Sequence, residues 1–311
     1  MTISVPNWIR DKITPLFEEI KLIKKDSLPI STGDIWSLKK EVFLHLYIPS
    51  YYNIVKNHFE KWYYYDPFCG SGMFEFTKPS ILKGERFPGT PIVTLSQRSK
   101  YPFEKYFLSD KHGPFVNALK NRIKKLYKLD VEIKEQDFQT SIGAVEGIDA
   151  QTGKESCLAV IDPVGYSPIP WEDMERLFKI PTCDLFIIAM TSDLHRNLSI
   201  ALNPKHKGDN GLTAFLGNAS WQQCKTGDDI VKLYAKQINK FEKNVLTLSV
   251  NRVGETKIYD IIMATRSRGG FKAMLWIAEK LQEVTTENLT PQAIFGSGRM
   301  KPIDEWFTND K

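Results

Sequence analysis

The sequence predicts an α/β protein built on a seven-stranded, mostly parallel sheet with a C-terminal antiparallel hairpin and helices on both faces. Three observations carry that class. Apolar runs of strand length alternate with amphipathic helical stretches through the middle of the chain. Three of those runs end at a carboxylate, Asp66, Asp110 and Asp162. Near the end, two strand-like segments, Val245–Val250 and Lys257–Ala264, are joined by a loop short enough for a hairpin.

Residues 1–35 mix charge, proline and glycine and read as an N-terminal extension holding a short helix and a loop. From Trp36 to His58, apolar and aromatic positions recur at three- and four-residue spacings, which predicts a helix that Pro49 kinks or splits. The β-favouring run Trp62–Tyr65 reaches the turn Asp66-Pro67-Phe68-Cys69-Gly70-Ser71-Gly72, and an insertion rich in Lys, Pro and Gly follows over Met73–Gly89. Thr90-Pro91 then starts a helix, with a hydroxyl at the N-cap and proline at the first helical position.

Lys105–Asp110 is the second strand, Gly113–Tyr127 a basic amphipathic helix, and Val131–Ile133 a third strand leading to Asp137 and Phe138. Cys157–Ile161 and Asp184–Met190 are continuous apolar runs, as strands covered on both faces require. Helices are expected over Trp171–Phe178, Thr191–Leu202, Asp228–Phe241 and Gly270–Glu283. The main domain is thus expected over 36–285, with 286–311 as a C-terminal appendix.

A hydrophobic fraction of 42% in 311 residues supports a real core. The net charge of +5 is compatible with DNA or RNA as a partner without requiring it, because clustering on one face decides phosphate binding. Cys69, Cys157, Cys183 and Cys224 are too widely spaced for a zinc site, so they read as buried free thiols and no metal is expected. No apolar run approaches the ~20 residues of a membrane span, and the N-terminus has no signal-peptide pattern. A cytoplasmic protein with no membrane partner is expected.

The turn Gly70-Ser71-Gly72 lacks the third glycine of a dinucleotide fingerprint, and there is no P-loop. Nicotinamide and nucleoside-triphosphate chemistry are therefore disfavoured. What remains is a ligand with a small polar or cationic group held by an acid and bare backbone, and a ribose whose two hydroxyls a strand-end carboxylate can accept.

Asp66-Pro67-Phe68-Cys69-Gly70-Ser71-Gly72 resembles the first motif of S-adenosylmethionine-dependent methyltransferases, in the form common among enzymes that methylate amino groups of nucleic acids. The element order likewise resembles their Rossmann-like class I sheet. More widely, Trp36–Lys40 with Leu44 and Tyr47, Gly89–Ile92, Asp110, Ile161–Tyr166 with Ile169 and Trp171, and Asp184–Arg196 resemble the three-Cys-motif partner protein family, over residues 35 to 282 or so. That resemblance implies S-adenosylmethionine as cofactor, with a partner protein carrying three cysteines.

It places the amino-acid end of the cofactor on Asp66, Phe68, Gly70, Ser71 and Gly72, its carboxylate near Lys40, the ribose on Asp110 and the adenine against Asp137 and Phe138. Lys40 as a solvated lysine, and Asp110 and Asp137 as ordinary strand-end acids, are the bland alternatives. Asp162-Pro163-Val164-Gly165-Tyr166 stands where amino-methyltransferases carry an acid, two prolines and an aromatic. In that motif the acid and a backbone carbonyl accept hydrogen bonds from the target amine, and the aromatic stacks on a flipped base. Here Val164 replaces the second proline and Gly165 sets Tyr166 one place late. Asp162, Pro163 and Tyr166 are the catalytic candidates, with a helix cap as the other reading of Asp162. A methyltransferase-like subunit without activity, binding a protein or RNA, is the rival expectation.

Asp193, His195 and Arg196 open a helix at the same sheet edge, with capping the simpler task for Asp193 and a structural role for His195. Lys120, Arg122, Lys124, Lys125 and Lys128 form a basic strip or a solvated face. Arg252, Arg266, Arg268 and Arg299, with Tyr259, Phe271 and Phe295, are the candidate nucleic-acid surface.

Overall fold

The computed structural model describes residues 11–282 apart from 12–13, 17–18, 79–82, 129–130, 149–152, 207 and 252–256. In chain order the elements are β1 (Ser31–Asp34), α1 (Ser37–Val55), β2 (Lys61–Asp66), β3 (Met73–Lys78), β4 (Arg86–Pro88), α2 (Thr90–Ser96), β5 (Lys105–Asp110), α3 (Gly113–Tyr127), β6 (Ile133–Glu135) and α4 (Phe138–Ser141). They continue with β7 (Glu155–Ile161), α5 (Trp171–Phe178), β8 (Cys183–Ala189), α6 (Thr191–Ala201), α7 (Leu212–Leu216), α8 (Gly227–Asn239), β9 (Asn244–Asn251), β10 (Lys257–Thr265) and α9 (Arg268–Gln282).

Seven strands form one sheet in the order β6-β5-β2-β7-β8-β10-β9, parallel except for β10, which runs antiparallel to both of its neighbours. This is the Rossmann-like methyltransferase arrangement, closed by the expected hairpin. Chain order reverses between β2 and β7, so the crevice beyond their carboxyl ends is where a ligand site belongs.

Side chains alternate strictly across the sheet, as a period of two demands. Tyr64, Leu158, Val160, Phe186, Ile188, Ile261 and Met263 enter the core shared with α1, α2, α3 and α9. Tyr65, Cys157, Ala159, Ile161, Leu185, Ile187, Ile262 and Ala264 enter the opposite core, under α5, α6, α7 and α8. The four cysteines are free and buried. Among the described residues, no helix is long and apolar enough to cross a membrane and no group of His, Cys, Asp or Glu could hold a metal ion.

Helix α1 runs unbroken through Pro49, so the proline does not split it. A proline there leaves the carbonyl four residues back without its helical donor. That carbonyl is His45 O, and the buried Gln97 side chain supplies a replacement, Nε2 donating at 3.2 Å. Further along the same helix, Tyr47 donates to Asp184 at 2.6 Å and Tyr51 shares a 2.8 Å bond with Ser156, fastening α1 to the strand starts. Its first turn, with Lys40 and Glu41, is thereby carried to the opposite, carboxyl edge.

The stretch read as an insertion between the glycine turn and its helix builds a second sheet. β3 pairs in parallel with β1 from the N-terminal extension and antiparallel with β4. Phe74, Phe76 and Phe87 fill its inner face, a pattern that the surrounding Lys, Pro and Gly obscure in the sequence. Gly89 N then donates to Gly72 O at 2.8 Å, so the helix that the insertion separates from the glycine turn in sequence begins beside it in space.

Candidate functional site

Two glycines shape the turn after β2. Gly70 and Gly72 have φ of +55° and +77°, in the left-handed region that glycine enters freely. At Gly72 a Cβ would also meet Leu119 Cδ1 at 2.5 Å, so bulk is excluded there twice over. Arg122 secures the turn from behind. Its fully buried guanidinium donates to Ser71 O at 2.7 Å and to Asp26 Oδ1 and Oδ2 at 2.9 Å each. Arg122 therefore does not belong to a basic surface strip; Lys120, Lys124, Lys125 and Lys128 are exposed, and the arginine turns inward.

Asp66 lies beneath the turn, fully buried. It accepts from Thr90 Oγ1 at 2.5 Å and Tyr64 OH at 3.2 Å on Oδ2, and from Phe68 N at 3.2 Å on Oδ1. Burial, opposed by these bonds and reinforced by the charge of Asp162, pushes its carboxyl up to about 7. A consequence for stability follows from the sign. Between its ordinary value of 3.8 and about 7 the folded protein keeps a proton that the unfolded chain has lost. The associated stability is full below that window and is lost as pH rises through it. Melting temperatures across the window are expected to fall with pH for the wild type relative to Asp66→Asn, and parallel profiles would show that Asp66 is ionised throughout.

Asp110, at the end of β5, accepts from Gly70 N at 3.0 Å and His112 N at 2.9 Å. Cys69 N donates to Ser109 O at 3.0 Å. Two amides expected to face a ligand are therefore engaged within the protein, and Asp110 is locked to the turn that it was expected to complement. A carboxylate has lone pairs beyond these two donors.

A cleft of about 600 Å³ opens over these groups, within the ~300–1,000 Å³ usual for small-molecule sites. It is lined by Phe68 to Gly72, Asp110, Lys40, Glu41 and Asp162 together with Pro163, Val164 and Gly165. Lys40 forms an ion pair with Asp162 and stands 3.8 Å from Glu41 Oε1. Burial works against its charge, but Asp162 and Glu41 outweigh it and hold the ammonium above its ordinary range. Burial drives the Glu41 carboxyl well above the carboxylate range; Lys40 opposes this, and Asp162 and Asp66 add to it. Glu41 has no obvious motif around it. Its only sequence signal is its position beside Lys40 on a helix whose inward residues are mostly apolar or aromatic.

Several candidates fall outside the cleft lining. Asp137 caps α4, accepting from Thr140 N at 2.9 Å, and this bonding holds its carboxyl below the ordinary range. Phe138 is buried and packs on Phe68, the ring centroids 5.6 Å apart. Tyr166 is buried too, with its ring against Phe215 and its hydroxyl donating to Asn210 O. Gly165, at φ +81°, supplies the turn that carries the chain from the cleft wall into this second core. Val164 is left 96% exposed at the rim.

His195 Nδ1 accepts from Gly227 N at 3.3 Å, tying α6 to the start of α8, and Arg196 pairs with Asp193 on the surface. Of the second basic group, Arg266 and Arg268 do not reach this edge. Because β10 is antiparallel, pairing Ala264 with Leu185, its end at Arg266 and Arg268 lies at the amino edge of the parallel strands. Tyr259 is buried and donates to Trp36 O at 2.7 Å, while Arg252, Arg299 and Phe295 lie outside the described residues.

No family model matches the chain, and no curated protein matches it. Among solved structures it is similar to protein LPL1258 from Legionella pneumophila, of the family designated DUF519. That likeness has a TM-score of 0.51 at 11% identity and covers 82% of this chain and 94% of that one. A SAM-dependent methyltransferase from Aquifex aeolicus matches at a TM-score of 0.33 and 14% identity, over 68% and 87% of the two chains, too loosely to add to the first. At 11% identity the likeness to the Legionella protein is one of fold.

Proposed function

We propose that this protein is an S-adenosylmethionine-dependent methyltransferase that methylates an amino nitrogen, with nucleic acid the favoured acceptor. The observation that carries the reading is the convergence of the glycine turn, Asp110 and Asp162 on one cleft at the strand-order reversal. The residues present fit the cofactor. Lys40 is a cation for its carboxylate, the Gly70–Gly72 turn admits close backbone approach, Asp110 retains lone pairs for ribose hydroxyls, and Phe68 offers an apolar face. When bound, the cofactor supplies a methyl group already activated on a sulfonium.

The chain's own task is then orientation. Asp162 accepts a hydrogen bond from the acceptor amine and aims its lone pair, and Pro163 to Gly165 shape the wall beside it. Tyr166 is placed in the core, so base stacking falls to the exposed Val164 side of the rim as an apolar contact. The three-cysteine partner implied by the family resemblance belongs to this proposal as well. Calorimetry with S-adenosylmethionine is expected to show saturable binding; absence of binding at millimolar cofactor would sink the reading. A second reading, a methyltransferase-shaped subunit without activity, draws on the buried Tyr166, and it prevails if the cofactor binds but no methyl group reaches DNA, RNA or lysate protein.

A further inference from the structure

We infer that Glu41 is the ligand for the α-ammonium group of a zwitterionic amino-acid end bound in the cleft. The inference rests on the methyltransferase reading and adds to it a residue that the motifs do not single out.

Glu41 is 1% exposed yet lines the cleft, and its Oε2 has no hydrogen-bond partner. An ionised carboxylate enclosed in this way costs free energy unless a donor reaches it. The nearest cation, Lys40, stands 3.8 Å from the other oxygen and is committed to Asp162. Glu41, Asp66 and Asp162 thus gather three carboxyl groups around one ammonium, and burial with this crowding drives Glu41 and Asp66 toward their protonated forms. Glu41 ionises when a second positive charge, carried by a hydrogen-bond donor, reaches it.

An α-amino acid end answers both needs together, because its carboxylate and ammonium are attached to the same carbon. Lys40 turns from Asp162 to the ligand carboxylate, and the ligand ammonium takes the place beside Glu41 that Lys40 had covered. Both charges of the ligand are paired in this exchange, which is what a buried ionic site requires. The same exchange releases Asp162 to receive the acceptor amine.

The test is calorimetry on the full chain, wild type and Glu41→Gln, with two ligands: S-adenosylhomocysteine and its analogue lacking the α-amino group. The wild type is expected to bind S-adenosylhomocysteine roughly 10- to 100-fold more tightly than the analogue, the worth of one charge-assisted hydrogen bond. In Glu41→Gln that preference is expected to shrink to about threefold or less, with the analogue bound as in the wild type. A variant that keeps the wild-type preference overturns the inference. So does a wild type that binds both ligands equally, with the cofactor reading left standing. A wild type that binds neither removes both. Should Glu41→Gln fail to fold, Glu41→Leu, which replaces the buried carboxylate with an apolar side chain, carries the same comparison.

Discussion

Replacing Asp162 with alanine is expected to lower methyl transfer by about a hundred- to ten-thousand-fold, the range over which a positioned acid or base acts. Asp162 reaches the cleft from the end of β7, and Lys40 is its ion-pair partner. Without the side chain, the acceptor amine loses the oxygen that orients its lone pair, and rate should suffer more than affinity. Cofactor affinity is expected to hold or to improve, because Lys40 no longer has a competing partner. Asp162→Asn keeps one acceptor oxygen and should fall between the two. Tritiated methyl transfer to DNA, RNA and lysate protein gives the rates, and binding of S-adenosylhomocysteine gives the affinity. Transfer undiminished in Asp162→Ala would remove the residue from the mechanism.

The sheet was legible in the sequence because its strands are buried on both faces, and burial writes itself as uninterrupted apolar runs such as Cys157–Ile161. Helices α3 and α5 begin and end at the expected residues, since proline or an acidic first turn marks their starts. β6 lies two residues later than expected, at Ile133–Glu135, because its register is fixed by pairing Ile133 with Leu108 and not by its own weak pattern. The three-stranded sheet was not legible. Its strands are short, and β1 lies within polar, glycine-containing sequence whose strand character arises only through a partner more than forty residues away.

The site divides in the same way. Asp66, Gly70, Gly72, Asp110 and Asp162 are marked by position at strand ends, and the fold brings all five to one edge. The motif does not reveal that Asp66 serves the turn from below, or that one added glycine swings Tyr166 into the core. Those outcomes depend on contacts with Thr90 and Phe215, each supplied by another element. Arg122 was misread because a helical basic residue between exposed lysines looks solvated; only the position of Asp26, in the N-terminal extension, draws it inward.

Arg122→Ala is accordingly expected to be the most destabilising single change considered, by about 3–5 kcal/mol, the usual result of removing one partner of a buried ion pair. The loss has four parts. Asp26 keeps its interaction with Arg86, at 3.3 Å, but loses both short bonds to Arg122. Ser71 O loses a 2.7 Å donor in a buried turn, and the space vacated by a large, fully buried side chain is left as a cavity. Of the four bonds that Arg122 makes, one also reaches Leu28 O at 3.2 Å, so the segment leading to β1 loosens with the turn. Arg122→Lys should recover little, because one ammonium cannot reproduce a fork that spans both Asp26 oxygens and two carbonyls. Denaturant titration of the variants measures the loss. Folding free energies within about 1 kcal/mol of the wild type for Arg122→Ala would mean that the turn holds its shape without this anchor, supported by Asp66 and Thr90 alone.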